Sequence, residues 1–169
     1  MSRKLVIYVI SVGLVAALLL GFNLPRGLDS QWGHYLAWIL IFVISESMWL
    51  STISGEATWS LSSSATLAAC MLWGHSPAMW IAALGTVVAE FLVLRKPWMR
   101  AWFNGGQMAI TMWVAGWAFT LLGGPSDGLH ALLTGDVQVA PSVALRLTPA
   151  ILGLFAGFLL VNRVLVAVA

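Results

Sequence analysis

The sequence RKPWMRAWFNGGQMAI, Arg95–Ile110, joins two apolar segments and decides how the rest of the chain is arranged. It holds three cations in a chain of which only 8% of the residues are charged and 60% are hydrophobic. A soluble domain needs a more highly charged surface than this composition can supply. We therefore predict an all-α integral membrane protein in which this stretch forms a loop and a helix start at the membrane surface.

Apolar segments close to the length of a membrane-spanning helix recur on both sides of this stretch. Hydropathy predicts six spans, at Leu5–Leu20, Tyr35–Leu50, Trp59–Trp73, Ala78–Leu94, Trp102–Leu122 and Thr148–Leu165. The third is the shortest and begins with hydroxyl side chains, so we expect it to be short or re-entrant. Residues 1–169 then form a single multi-pass domain, with residues 123–147 as an extracytoplasmic loop.

The Lys and Arg residues predict the orientation of the spans, because cytoplasmic loops are enriched in both. Both termini are predicted to be cytoplasmic, and only Arg26 and Arg146 then lie outside. The cytoplasmic cations are Arg3, Lys4, Arg95, Lys96, Arg100 and Arg163. Omitting the third span would move the basic loop to the outer face, so six spans fit this rule better than five.

Two amides follow the basic loop at the start of the predicted fifth span. Asn104 and Gln107 are three residues apart, so they share one helix face. Amides at such positions either cross-link helices or contact a ligand. Small residues in the last two spans allow close packing of helices, within the chain or with a second copy. The candidates for such packing are Gly105, Gly106, Gly153 and Gly157.

Acidic side chains inside apolar segments are the main candidates for a binding site, because a carboxylate at membrane depth needs a partner or a cavity. Glu90 is expected to pair with Arg95 or Arg100 or to contact a ligand. Glu46 is expected to reach the interface or to contact a ligand. The serine-rich third segment is the preferred cavity. The full set of predicted ligand-binding residues is Glu46, Glu56, Ser60, Ser63, Ser64, Glu90, Asn104 and Gln107.

Neither catalysis nor metal binding is predicted from the motifs. The chain has no H-E-x-x-H, nucleophile elbow or Walker loop. His34, His75 and His130 lack metal-ligand spacing and are interpreted as surface residues, with a haem or chlorophyll ligand as the alternative for the first two. The cofactor stays unknown. Nucleic acid binding is not indicated, since charge placement explains the net charge of +2.

Five short motifs follow one another along the chain. They are SLSSSAT, a Gly-x-x-Pro-Ala turn at Gly74–Ala78, the basic tryptophan loop, FN-x-x-Q, and Asn162-Arg163 in the last span. Together they resemble the membrane input region at the N terminus of many bacterial HD-GYP phosphodiesterases and GGDEF cyclases, over about two thirds of the chain. The resemblance implies a sensory module in a bacterial cytoplasmic membrane. The sequence holds no HD, GGDEF or kinase motif, which leaves the signalling output open.

Three functions are compatible with these features. The first is a non-catalytic, sensor-like membrane module that binds a ligand or a partner. The second is an accessory subunit of a larger membrane complex, such as a pigment-binding or respiratory assembly. The third is the substrate-binding component of a small-molecule uptake system. The expected partners are the lipid bilayer and either another membrane protein or a second copy of the chain.

Overall fold

The computed structural model describes residues 3–25, 28–51, 58–130 and 141–167. These residues form six helices: α1 (Arg3–Phe22), α2 (Leu28–Ser47), α3 (Ser62–Trp73), α4 (His75–Val88), α5 (Trp98–Leu121) and α6 (Pro141–Ala167). Two strands of three residues, β1 (Trp49–Ser51) and β2 (Thr58–Ser60), pair antiparallel between α2 and α3. Apart from this short ladder, the prediction of an all-helical bundle is confirmed.

Three of the described helical segments are long and apolar enough to cross a membrane. They are Arg3–Phe22, His75–Val93 and Leu145–Ala167. The first and the last expose much of their apolar surface, and Leu14 and Leu159 are 59% and 57% exposed. Apolar faces of this extent are typical of a surface covered by lipid, because water would make them an aggregation hazard. These helices support the assignment of the chain as a membrane protein.

The third helix is short, as predicted, whereas the last helix begins earlier than predicted. With 12 residues, α3 is about 18 Å long, well short of a hydrocarbon core of about 30 Å. This agrees with the expectation of a short third segment. In contrast, α6 begins at Pro141, inside the segment 123–147 that was predicted as a loop. A helix continues there because apolar residues precede and follow Arg146.

The central helix of the bundle is α5, which packs against α1, α4 and α6. A Cβ added to Gly105 would lie 2.5 Å from Val87 of α4, and one added to Gly106 would lie 3.3 Å from Gly13 of α1. Small residues therefore let α5 approach both neighbours closely. The largest fully buried apolar side chains are Phe42, Met79, Ile81, Met112, Phe119 and Leu154.

Contacts within the chain also account for the G-x-x-x-G pair of the last helix. A Cβ added to Gly157 would lie 3.1 Å from the Cα of Ala115 in α5, and one added to Gly153 would lie 3.4 Å from the carbonyl oxygen of Ala118. Both glycines therefore lie in the α5–α6 interface. That interface is formed inside one chain and does not require a second copy.

Consecutive helices run in opposite directions, so the bundle has two distinct ends. One end holds the C termini of α1 and α3 and the N termini of α2 and α4. We call it the chamber end, because the larger cavity of the structure opens there. The other holds residues 95–100 and the C terminus of α6, and we call it the basic end. Tyr8 near the start of α1 donates a hydrogen bond of 2.8 Å to the carbonyl of Leu165 at the basic end.

Candidate functional site

Glu90 lies in a buried polar cluster at the basic end. Its carboxylate accepts a hydrogen bond of 2.5 Å from Lys96 Nζ, and Asn104 Nδ2 donates to its two oxygens at 2.9 and 2.8 Å. The side chains of Glu90 and Lys96 are only 4% and 17% exposed. The ion-pair partner of Glu90 is therefore Lys96, and the expectation of Arg95 or Arg100 was wrong.

The backbone between α4 and α5 explains why Lys96 reaches this carboxylate. After Val88 the helix continues as a π-helical turn, Ala89–Val93, which widens the helix by one residue. Arg95 then adopts a φ of 51°, a left-handed conformation that often follows a helix end but is uncommon outside glycine. The Lys96 amide donates a 2.8 Å hydrogen bond to the Glu90 carbonyl. The loop thus turns back and returns the lysine side chain to the helix.

Gln107 links α5 to α6, three residues beyond Asn104. Its Nε2 donates a hydrogen bond of 2.5 Å to Asn162 Oδ1. Glu90, Asn104 and Gln107 therefore all have protein partners, and side-chain hydrogen bonds of this kind hold helices together inside a membrane. This geometry favours helix cross-linking over ligand binding for these three predicted site residues.

Three of the other predicted ligand-binding residues lie in the basic half of the bundle. Ser63 is half-buried and Ser64 is exposed in the first turn of α3, and Glu46 is half-buried near the end of α2. None of these three lines the polar chamber or the apolar groove defined in the following text. Ser60 is described through its backbone pairing with Trp49 in the ladder, and Glu56 lies outside the described residues.

The larger of the two cavities opens at the chamber end and has a volume of about 690 Å³. Ligand pockets for drug-sized molecules measure about 300 to 1,000 Å³. We call this cavity the polar chamber. Its described lining residues are Phe22, Asn23, Leu24, Gln31, Tyr35, Trp73, His75, Ser76, Pro77, Ser126, Asp127 and His130.

Trp73 forms an aromatic wall of the polar chamber. Its ring stacks on the imidazole of His130, with 4.2 Å between centroids and 23° between planes. The rings of His34 and Tyr35 lie 5.5 and 5.8 Å away. The Nε1 of Trp73 is buried and has no hydrogen-bond partner among the described residues. Buried indole N–H groups usually have an acceptor, so an unpartnered donor beside the chamber is unusual.

Hydrogen bonds hold the frame of the polar chamber. The carbonyl oxygen of Asn23, just after α1, accepts from Ser76 Oγ at 2.7 Å and from Trp80 Nε1 at 3.0 Å. Tyr35 donates a hydrogen bond of 2.9 Å to Gln31 one turn earlier in α2. These bonds fix the end of α1 to the start of α4. The chamber is thus largely pre-formed, as ligand sites usually are.

The segment after α5 closes the chamber over the turn between α3 and α4. The amide of Leu129 donates a hydrogen bond of 2.7 Å to the Met71 carbonyl. Gly74 and Gly128 have φ values of 82° and 79°, and a Cβ on either would overlap a backbone carbonyl of the opposite segment. Only glycine allows this approach at both positions. The approach brings His130 onto the aromatic wall.

The sequence did not predict the polar chamber, although three histidines without shared spacing meet near it. His75 and His130 line it, and His34 contacts the aromatic wall. Within the part of the chain that the structure describes, no group of three or more His, Cys, Asp or Glu side chains is placed to hold a metal ion. No protein-family model, curated protein or solved structure matches this chain. The chamber is therefore the feature from which a function can be inferred.

Proposed function

We propose that this chain is a multi-pass membrane protein that binds a small ligand in the polar chamber and acts as a sensor-like module without catalysis. The chamber carries the proposal, because it combines sufficient volume, an aromatic wall and a buried donor without a described partner. The resemblance to membrane input regions of bacterial signalling proteins gives the same class of function.

The proposed topology has six spans and places both termini in the cytoplasm of a bacterial cell. The cations support it, since the start of α1, the basic loop and the end of α6 carry six of the eight Lys and Arg residues and lie at the basic end. Cytoplasmic loops carry this excess. The chamber end then faces outward, and a ligand reaches it from outside or from the outer half of the bilayer.

The proposed route of a signal is the α4 segment. His75 and Ser76 begin this helix at the chamber, and Glu90 ends it in the cluster with Lys96 and Asn104 at the basic end. A helix is stiff over this length, so a shift at its start moves its far end. The readout is then a change of contacts at the cytoplasmic face, where a partner protein or a second copy binds. A ligand drives this change only if it prefers one of the two positions.

We expect the substitution His130→Ala to lower the amount of small molecule that is retained by the protein about fivefold. Loss of the ring stacked on Trp73 removes one side of the wall, and an aromatic contact contributes about 1 kcal/mol. The measurement is mass spectrometry of small molecules extracted from the protein in native membrane particles. His34→Ala is the matched control, because this exposed histidine contacts Trp73 without lining the chamber.

Three results would contradict the proposed site. The first is a wild-type protein that retains no small molecule above the level of empty membrane particles. The second is a retained molecule that survives His130→Ala but is lost on Ser63→Ala, which would return the site to the serine-rich segment. The third is an equal loss of the molecule in His130→Ala and His34→Ala.

The proposed topology predicts opposite labelling of the two ends in cells. In a Cys70→Ala background, which removes the one native and buried cysteine, Ser126→Cys should react with an impermeant maleimide added outside. Arg100→Cys should react only after the membrane is made permeable. Both positions are exposed in the structure. Labelling of both from the same side would refute the single membrane crossing that α5 makes between the two positions in the proposed topology.

A further inference from the structure

A second cavity lies beside the polar chamber and has a different character. It is a groove between α2 and α4 with a volume of about 250 Å³, and we call it the apolar groove. Apolar and aromatic side chains line it, including Trp32, Leu36, Ile39, Trp80 and Leu84. Leu36 and Leu84 are 48% and 41% exposed. The groove therefore opens on the surface that lipid would cover.

The polar chamber and the apolar groove adjoin each other, because Tyr35 and Pro77 line both of them. The Tyr35 hydroxyl donates its hydrogen bond to Gln31, which also lines the chamber. The groove is smaller than the usual pocket for a whole ligand, so it suits one part of a molecule whose other part occupies the chamber.

We infer that the two cavities together bind one amphiphile with an uncharged, planar head group and a single hydrocarbon or isoprenoid tail, the chemistry of a quinone-type lipid. This inference rests on the proposed function, because it assigns the ligand class of the same site. The head group lies in the polar chamber against the aromatic wall. The tail follows the apolar groove to the bilayer.

The lining of the chamber supports an uncharged head group. Its described residues include one carboxylate, Asp127, and neither lysine nor arginine. A phosphate or carboxylate head group would need cationic partners at this depth. The stacked Trp73 and His130 rings offer a flat surface to a planar group. An uncharged planar ring fits this lining.

The position of the groove beside the chamber supports a single tail. Apolar contacts in the groove gain little over lipid for a chain that is already in the bilayer. Their value is positional, since a tail held along Leu36 and Leu84 keeps the attached ring at the chamber mouth. Tail and ring then act as linked groups, and binding of the first raises the effective concentration of the second.

The test compares two probes on the protein in nanodiscs, with binding to empty nanodiscs subtracted. The probes are tritiated decylubiquinone and its ring with a methyl group in place of the tail. We expect Leu36→Trp, which fills the groove, to weaken decylubiquinone binding about tenfold and to leave the tail-free ring unchanged, because a displaced tail no longer raises the effective concentration of the ring at the chamber mouth. Leu40→Trp is the matched control, because Leu40 is similarly exposed on α2 but does not line the groove.

Each other outcome overturns a defined part of the inference. Equal affinity of the wild-type protein for both probes, or equal effects of Leu36→Trp and Leu40→Trp, would exclude the groove as the tail site. Displacement of the probe by an anionic single-chain phospholipid would overturn the uncharged head group. If neither probe binds while the native particles still retain a small molecule, the ligand class is wrong and the proposed function stands. If neither probe binds and nothing is retained, both fail.

Discussion

The substitution Lys96→Met should lower the free energy of unfolding by about 3 kcal/mol, toward the lower end of the range for breaking a buried ion pair. It leaves the Glu90 carboxylate, whose side chain is 4% exposed, without its cation. Asn104 retains its two hydrogen bonds to the carboxylate but supplies no charge. The measurement is unfolding by sodium dodecyl sulfate in mixed detergent micelles, followed by far-ultraviolet circular dichroism.

Arg100→Met is the matched control for this substitution. It removes the same charge from the same basic loop, but Arg100 is exposed and makes no contact with Glu90, so we expect a change within about 0.5 kcal/mol. In the double variant Glu90→Gln/Lys96→Met, most of the lost stability should return, because no charge is left buried. Equal losses for the two single variants would mean that the effect comes from loop charge and not from the buried pair.

The helices could be predicted from the sequence because their signal is local. An apolar run of about 20 residues satisfies its own backbone in a helix, so the ends of α1, α4 and α5 were predicted to within about six residues. The starts of α2 and α6 were both predicted about seven residues too late. In α6 the apolar residues are interrupted by Arg146. A helix tolerates that interruption at a membrane surface, where a long cation reaches water.

The partner of Glu90 could not be predicted from spacing. A prediction from residue spacing treats the helix as a regular α-helix up to the start of the loop. In the structure, a π-helical turn and the left-handed backbone of Arg95 determine which cation turns toward Glu90. Lys96 is the residue that follows this reversal. Neither the π turn nor a positive φ at arginine has a signal in one sequence, since glycine or asparagine is the usual residue at a left-handed position.

The polar chamber depends on contacts between segments that are distant in the sequence. For this reason it could not be predicted from local sequence patterns. The turn at Gly74 meets the segment that follows α5, about 50 residues later in the chain. The two glycines that allow this contact were visible, but glycine is common in loops, and nothing paired one with the other. The serine-rich segment was predicted as the cavity instead, because its composition is unusual. Composition does not show whether hydroxyl groups surround a cavity or form hydrogen bonds within their own helix. Thr66 forms such a bond, since its hydroxyl donates to the Ser62 carbonyl at 2.8 Å.

A second large effect is expected where α5 passes the start of α4. Gly116→Ala should lower the free energy of unfolding by about 1 to 3 kcal/mol, the usual cost of overpacking. The added Cβ would overlap the Cβ of His75 and lie 3.1 Å from its Cα. Neither atom is the end of a flexible side chain, so the two helices have to separate. The same unfolding titration measures the loss.

Gly33→Ala is the control with the opposite expected sign. A Cβ at Gly33 of α2 would have no neighbour within 4 Å, and alanine is better than glycine within a helix by about 0.5 to 1 kcal/mol. Gly33→Ala should therefore stabilise the protein slightly.

Since His75 both contacts Gly116 and lines the polar chamber, Gly116→Ala should also reduce the amount of retained small molecule, and Gly33→Ala should not. Destabilisation by Gly116→Ala with full retention of the molecule would mean that the chamber tolerates movement of its own wall and would weaken the proposed route from the chamber into α4.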